Sequence, residues 1–446
     1  MPIYGNRIQR VQKHMQPDSI LLLPAAPAAI RNHDTHFPYR GHSNTLYLTG
    51  VNEEELALLI TPQTVHFFAQ TRNPERERWV GKVKGHDFLC EQLAAPGLDI
   101  FAHDAADFKK VSGDLFKGCK ILYYDFGVYA DLDRHFLTAL NEMANLSRRG
   151  AVAPRTIIRA AEILHECRLF KDEADLAAMR RAAAISSAAH NLVGDFIAGA
   201  QSPLPEYEIK AMLEREFMHA GADRLAYPSI VAAGENATVL HYEGSAGSAA
   251  PGDFVLIDAG CEVEGYASDI TRTTAVGGWG KATGIQRELY DLVLAAQRAA
   301  TQKTRVGTSV DEVHHAAVQV LTEGLFKLGL FNNVPLRRQG EKPLTGQLTK
   351  VASVEQAIEL EYYNLFYMHR TSHYLGLDVH DVGDYFTAGK SRCLEPGMVI
   401  TVEPGLYFPP EYDFLSAEVR GIGIRIEDDV LVTEKGNEVL TSACRS

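Results

Sequence analysis

The sequence predicts a two-domain α/β protein whose second domain consists of two similar α+β halves. Three observations predict this. The 446 residues are 46% apolar and 23% charged, which is ordinary for a globular chain and suggests two to three domains. The first 150 residues alternate short strand-like runs with helical patterns, as α/β sheets do. Beyond them the order helix, helix, sheet occurs twice.

The strand candidates of the first region are "SILLL", "TLYLTG", "ELALLI", "VHFFA" and "KILYYDFG", while "DRHFLTALNEMANLSRR" has helical spacing. Arg149 to Thr156 carries a proline among small residues and marks a boundary. The expected division is an N-terminal domain over 1–150, a linker over 151–170 and a C-terminal domain over 171–446. "KDEADLAAMRRAAAISSAAHNLVGDFI" opens the second domain as a long helix with its acidic residues early, where the helix dipole favours them. A helix after Pro205 closes at Gly221, and the strands "YPSIVAAG" and "GDFVLIDAG" follow. The second half repeats the order. "GIQRELYDLVLAAQRAA" and "SVDEVHHAAVQVLTEGLFKLG" are helices, and "PGMVITVEPGLYF" and "GIGIRIEDDVLVT" are strands. A polar loop, "LRRQGEKPLTGQLTK", lies between them.

Several functions are disfavoured. A net charge of −13 does not suit a nucleic-acid binder, which needs a basic face. Six scattered cysteines without a CxxC speak against a disulfide framework or zinc ribbon and suit reduced thiols in a cytoplasm. The N-terminus has no apolar h-region, and "SILLLPAAPAAI" is broken by Pro24 and Pro27. No run reaches the ~18 apolar residues of a membrane span. HExxH, GxxxxGK[ST] and GxSxG are absent. His314 and His315 sit in a helical pattern and read as structural.

Carboxylates at the ends of apolar strands carry the chemistry. "FVLIDAGCEVEGYASDITRTT" reads as a hairpin. A turn centred on Val263 and Glu264 would set Asp258 opposite Asp269, a like-charge pair that needs a cation or a shared proton. A solvated pair beside a turn is the alternative. Glu403 ends the apolar strand of "VITVEP". Arg425 and Glu427 are two apart on one expected strand and so share a face; a surface ion pair is their alternative. His369, His373 and His380 lie within twelve residues, in "HRTSHYLGLDVH". Two Asp, two Glu and one His form a ligand set for two carboxylate-bridged divalent ions. Oxygen-rich ligation with one imidazole suits Mn²⁺ by hardness, with Co²⁺, Zn²⁺ or Fe²⁺ possible.

"VLHYE", "LIDAGCEVEGYASDITRT", "SHYLGLDVHDVG", "EPGMVITVEPGLY" and "GIGIRIEDD" resemble, in order, the motifs of the pita-bread metallopeptidases of family M24. Within that family they are most similar to the Xaa-Pro aminopeptidase group. "FPYRGHSNTLYLTGVNEEELALLI" resembles that group's creatinase-type N-terminal domain. The resemblance implies a pita-bread catalytic domain with pseudo-twofold halves. It implies metal ligands Asp258, Asp269, His373, Glu403 and Glu427, with Asp269 and Glu427 bridging. It also implies His369, His380, Glu403 and Arg425 as catalytic residues, and His241 and Tyr407 at the substrate. Asp34 and Trp79 would reach the site of a neighbouring subunit in a homodimer or homotetramer.

The implied reaction is attack by a metal-bridging hydroxide on the bond before proline in Xaa-Pro-Yaa peptides. Prolidase, restricted to Xaa-Pro dipeptides, is the alternative on the same fold. A metal-free binding protein is a third reading, which the presence of all five ligands disfavours. Two features depart from the family pattern: Arg370 stands where many relatives carry glycine, and the segment from Phe331 to Leu365 is longer than the compact form.

Overall fold

The computed structural model describes residues 3–146, 149–150, 152–337 and 344–446, with the side chains of 344–346 excepted. They form two compact units, Met1–Arg168 and Leu169–Ser446.

The N-terminal unit is built on six strands: β1 (Ser19–Leu23), β2 (Ala57–Ile60), β3 (Thr64–Ala69), β4 (Asp99–Asp104), β5 (Ile121–Tyr123) and β6 (Thr156–Ile158). Their spatial order is β4-β3-β2-β1-β5-β6. β1 is central and buried at every residue, which is why "SILLL" shows no alternation. One strand expectation is corrected. "TLYLTG" belongs to a helix, α1 (Ser43–Thr49), capped at its start by the His42 side chain and closed by Gly50 at φ 64°. All seven helical residues are buried, so periodicity could not separate helix from strand. The helix expected near Asp133 is α2 (Ala130–Asn145), and it packs Phe136 and Met143 with Ile20 and Leu122 of the sheet.

The expected linker is also corrected. It contains β6, paired parallel to β5, and a helix over Ala161–Leu169. The β-branched run Thr156–Ile158 behind Pro154 adds one more strand to the sheet.

In the C-terminal unit, α3 (Glu173–Gly199) and α4 (Glu206–His219) cover one face of the antiparallel sheet formed by β7 (Ile230–Ala233), β8 (Phe254–Asp258) and β11 (Thr271–Ala275). Between the last two lies a hairpin of β9 (Cys261–Val263) and β10 (Tyr266–Ala267). Val193, Ile197, Ile209, Leu213 and Phe217 pack on Val231, Val255 and Ile257. Each such fully buried side chain stabilises the fold by about 1.5–3 kcal/mol. The second half repeats the plan. Helices α5 (Gly284–Lys303) and α6 (Val310–Lys327) pack on β12 (Val399–Val402), β13 (Gly405–Phe408), β14 (Ile422–Arg425) and β15 (Asp428–Thr433). Capping boxes at Asp172–Asp175, Thr283–Gln286 and Ser309–Glu312 start α3, α5 and α6.

Two register expectations are corrected. The tight turn is Glu264–Gly265, at φ 53° and 84°, rather than Val263–Glu264. Both residues adopt left-handed conformations, which glycine tolerates and which suits a two-residue hairpin. Asp258 therefore faces Thr271, not Asp269. Arg425 and Glu427 are not on one strand either. Arg425 ends β14, paired with β13, while Glu427 makes an isolated bridge to Thr271 before β15 pairs with β12. The chain changes sheets between them and links the two halves.

Of the segment Phe331–Leu365, residues 338–343 lie outside the described residues. Its remainder includes strands Val334–Leu336 and Leu344–Thr349 and a helix Val354–Glu359. Among the described residues no helix is long and apolar enough to cross a membrane. All six cysteines are unpaired.

Candidate metal centre

Asp258, Asp269, His373, Glu403 and Glu427 line one cavity of about 1100 Å³ in the C-terminal unit, with His241, His369, His380 and Arg425. The first half supplies the two aspartates and the second half the histidine and glutamates. Asp34 and Trp79 lie in the N-terminal unit and are exposed there, Trp79 at 89%.

The hairpin correction does not separate the aspartates. The Tyr227 hydroxyl lies 2.8 Å from Asp258 Oδ1 and also hydrogen-bonds Asp269 Oδ1. Gly260 lets the hairpin arms close, since a Cβ there would sit 1.8 Å from the Ser268 carbonyl oxygen. Glu427 accepts from Thr271 Oγ1 at 2.6 Å. Arg425 donates to Thr271 Oγ1 at 3.2 Å, to the Tyr407 hydroxyl at 2.9 Å and to Asp258 Oδ2.

His373 faces the carboxylates with a fixed tautomer. Its Nδ1–H donates to the Tyr374 carbonyl at 3.0 Å. Nε2 is left 3.5 Å from Asp269 Oδ2 and 3.6 Å from Glu403 Oε1. Donor atoms of Asp269, His373 and Glu427 all lie within 4.8 Å of one another. A backbone carbonyl that orients one imidazole nitrogen while the other faces carboxylates is a common arrangement around a metal ligand.

The electrostatics are those of an anionic pocket. Burial pushes the Asp258 carboxyl up, against the opposing charge of Arg425. Burial likewise raises Glu403 to about 7 and Glu427 well above the ordinary range, with neighbouring carboxylates adding to both shifts. Burial would lower His373, but Asp269 and Glu403 outweigh it and hold the imidazole at about 9. Four carboxylates thus face one committed guanidinium and one imidazole. Buried negative charge in such excess fits divalent cations. The donor set, four carboxylates and one imidazole, suits hard or borderline ions.

The histidines separate by their partners. His369 Nδ1–H donates to the Arg370 carbonyl at 2.9 Å, so its Nε2 accepts from the Tyr407 hydroxyl at 2.9 Å. Tyr407 in turn accepts from Arg425 and is fully buried. His369, with both nitrogens engaged, is lowered to about 3 by burial and by the charge of Arg425. His380 packs edge-on against His373 with ring centroids 4.4 Å apart, and burial lowers its pKa. His241 and His380 have no hydrogen-bond partner among the described residues. His314 is buried behind the site, 2.8 Å from Thr371 Oγ1.

Residues 177–434 match the model of metallopeptidase family M24, and residues 4–123 match that of the aminopeptidase P N-terminal domain. The chain belongs to metallopeptidase family M24. This M24 chain is 39% identical over 448 residues to the Xaa-Pro aminopeptidase of Escherichia coli (strain K12), covering 99% of this chain and 94% of that protein. It is 36% identical to the Xaa-Pro aminopeptidase of Haemophilus influenzae, covering 99% and 94%. The structure of Pseudomonas aeruginosa aminopeptidase PepP superposes with a TM-score of 0.88 at 39% identity, covering 99% of this chain and 95% of that one. A zinc-substituted E. coli aminopeptidase P in complex with product gives the same TM-score at 38% identity, covering 100% and 95%.

Reading the sequence missed several residues that shape the M24 site. Tyr227 precedes a proline in a loop and carries no spacing signal. Thr271 opens β11, two residues after Asp269, and its role shows only through its contacts with Glu427 and Arg425. Glu206, at the start of α4, is fully buried. It accepts hydrogen bonds from Ala233 N (2.8 Å), Asn236 Nδ2 (2.8 Å), the Tyr242 hydroxyl (2.9 Å) and Gly247 N (2.7 Å). It thereby fixes the segment that carries His241.

Proposed function

We propose that this chain is an Xaa-Pro aminopeptidase, releasing the N-terminal residue from peptides with proline in second place. The convergence of Asp269, His373 and Glu427 donor atoms within 4.8 Å carries the reading. The names of its M24 relatives and the match to an aminopeptidase P N-terminal domain favour it over prolidase. Two divalent ions, best Mn²⁺, would be held by Asp258, Asp269, His373, Glu403 and Glu427. Such ions supply Lewis acidity and a water acidified toward neutral pH.

The protein's own groups perform the remaining work. Hydrolysis adds water to the carbonyl carbon, breaks the C–N bond and requires a proton on the departing proline nitrogen, because a tertiary amide carries none. Glu403 takes a proton from the attacking water and returns it to that nitrogen. His380, whose ring nitrogens make no hydrogen bond among the described residues, donates to the carbonyl oxygen as charge develops. His241 lines the proline pocket. His369 and Tyr407 act in this proposal as a relay of fixed hydrogen bonds that orients Arg425 against Asp258. Asp34 and Trp79 are assigned to the site of a neighbouring copy in a cytoplasmic dimer or tetramer, a state that gel filtration tests.

The deciding experiment compares Xaa-Pro-Yaa, Xaa-Pro and Xaa-Ala-Yaa after chelation and after reloading with Mn²⁺. Release of Xaa from Xaa-Pro-Yaa alone, lost on chelation and restored by metal, is expected. Cleavage restricted to the dipeptide would make the chain a prolidase. Asp269→Asn and Glu427→Gln should each lose both turnover and bound metal; full activity in either would refute the ligand set.

A further inference from the structure

Arg370 lines the same cavity with its side chain 56% exposed. Its backbone is fixed by the site itself, since its carbonyl accepts the His369 Nδ1–H at 2.9 Å. Its Nη2 donates to Asp311 Oδ1, in the first turn of α6. Asp311 is held below its ordinary range: burial opposes ionisation, but hydrogen bonds from Arg370 and Ser391 outweigh it. That is the single side-chain hydrogen bond of Arg370 among the described residues, so a guanidinium with five N–H donors keeps most of them free.

Carboxylates outnumber guanidinium groups on the cavity wall. Glu243, Asp311 and Asp384 line it in addition to the carboxylates of the metal centre. Arg425 is the other guanidinium among the described residues lining it, and its three nitrogens are committed to Thr271, Tyr407 and Asp258. Among the described residues, Arg370 is thus the guanidinium of this cavity with donors to spare. It precedes His373 by three positions, so their Cα atoms are at most about 11 Å apart, the span of an extended tripeptide.

Resting on the aminopeptidase reading, we propose that Arg370 is a specificity-determining residue that binds the terminal carboxylate of short Xaa-Pro-Yaa substrates. Asp311 holds one edge of the guanidinium and aims the rest at the substrate, much as a second carboxylate orients an arginine fork. The binding is equal in ground and transition states, so it acts on KM.

The test compares Xaa-Pro-Yaa with its C-terminal amide in the Mn²⁺-loaded full chain, for the parent, Arg370→Gln and Arg370→Lys. The parent should favour the free acid by about fivefold to tenfold in kcat/KM, as a charge-assisted contact at a wet rim allows. In Arg370→Gln that ratio should fall to about one, through KM, and Arg370→Lys should restore part of it. A parent that cleaves both peptides with no preference, or a preference that survives in Arg370→Gln, overturns the inference. A parent that cleaves neither peptide refutes the aminopeptidase reading instead.

Discussion

Glu206→Gln tests how the His241 segment is held. Every partner of the carboxylate is a donor, two on each oxygen. Glutamine keeps Oε1 for Ala233 N and Asn236 Nδ2 but sets an NH₂ where Oε2 stood. The Tyr242 hydroxyl can rotate to accept. The Gly247 N–H, 2.7 Å away, cannot. The change removes one charge-assisted hydrogen bond, worth about 1.5–3 kcal/mol, and strands a backbone donor at about 1–3 kcal/mol. Gly247 and Tyr242 are only partly buried, which favours the lower end, about 3 kcal/mol in total. That is about a hundredfold in the local opening equilibrium. Hydrogen exchange over residues 233–247, followed by mass spectrometry, should accelerate accordingly, and KM for Xaa-Pro-Yaa should rise as His241 loses its position. Unchanged exchange and unchanged KM would refute the claim that Glu206 holds this segment.

Three further outcomes are expected. Gly260→Ala places a Cβ 1.8 Å from the Ser268 carbonyl oxygen and should force the Asp258 and Asp269 arms apart; bound metal, measured by elemental analysis, should fall, and parental metal content would count against it. Lys171 and Asp381 form a buried ion pair at 2.9 Å, each side chain 1% exposed. Lys171→Met should cost about 3–5 kcal/mol by leaving a buried charge, and Lys171→Met/Asp381→Leu should recover much of it; calorimetry reads both, and a double variant no better than the single one would contradict the pairing argument. His190 donates to the Ala259 carbonyl at 2.8 Å, and burial lowers it from 6.5 to about 4. Between those values the unfolded chain binds its proton more readily, so this stability is full above pH 6.5 and is lost as pH falls toward 4. The share lost between pH 7 and pH 5 is about 2 kcal/mol, and urea titrations of His190→Gln should lack it.

The strand ends that carry Asp258 and Glu403 were legible because an apolar run closing on a carboxylate is a local pattern. The paired helices of each half were legible for the same reason, through their 3.6-residue period. What stayed hidden depends on the third dimension. "TLYLTG" is buried on all sides, and full burial erases the period that separates helix from strand. The hairpin register turned on one left-handed residue, Glu264, which composition does not announce. Tyr227 reaches Asp269 across 42 positions, and Arg370 reaches Asp311 across 59. No spacing rule connects such pairs. The family motifs pointed to a ligand set, but they could not reveal that both nitrogens of His369 are already engaged.

The centre also has a consequence for the order of folding. Arg425 and Asp258 meet across 167 positions, and Glu427 meets Thr271 across 156. Contacts so distant form only after the chain between them has collapsed into place. An ion that needs donors from both halves has no complete binding site while either half is unformed. It therefore stabilises the native state more than the folding transition state, so saturating Mn²⁺ should slow unfolding and leave the refolding rate near its metal-free value. Stopped-flow refolding accelerated by metal would instead place these ligands in the folding nucleus. On this reasoning the pocket latches a finished fold, and the nascent chain reaches its native topology without metal as a guide.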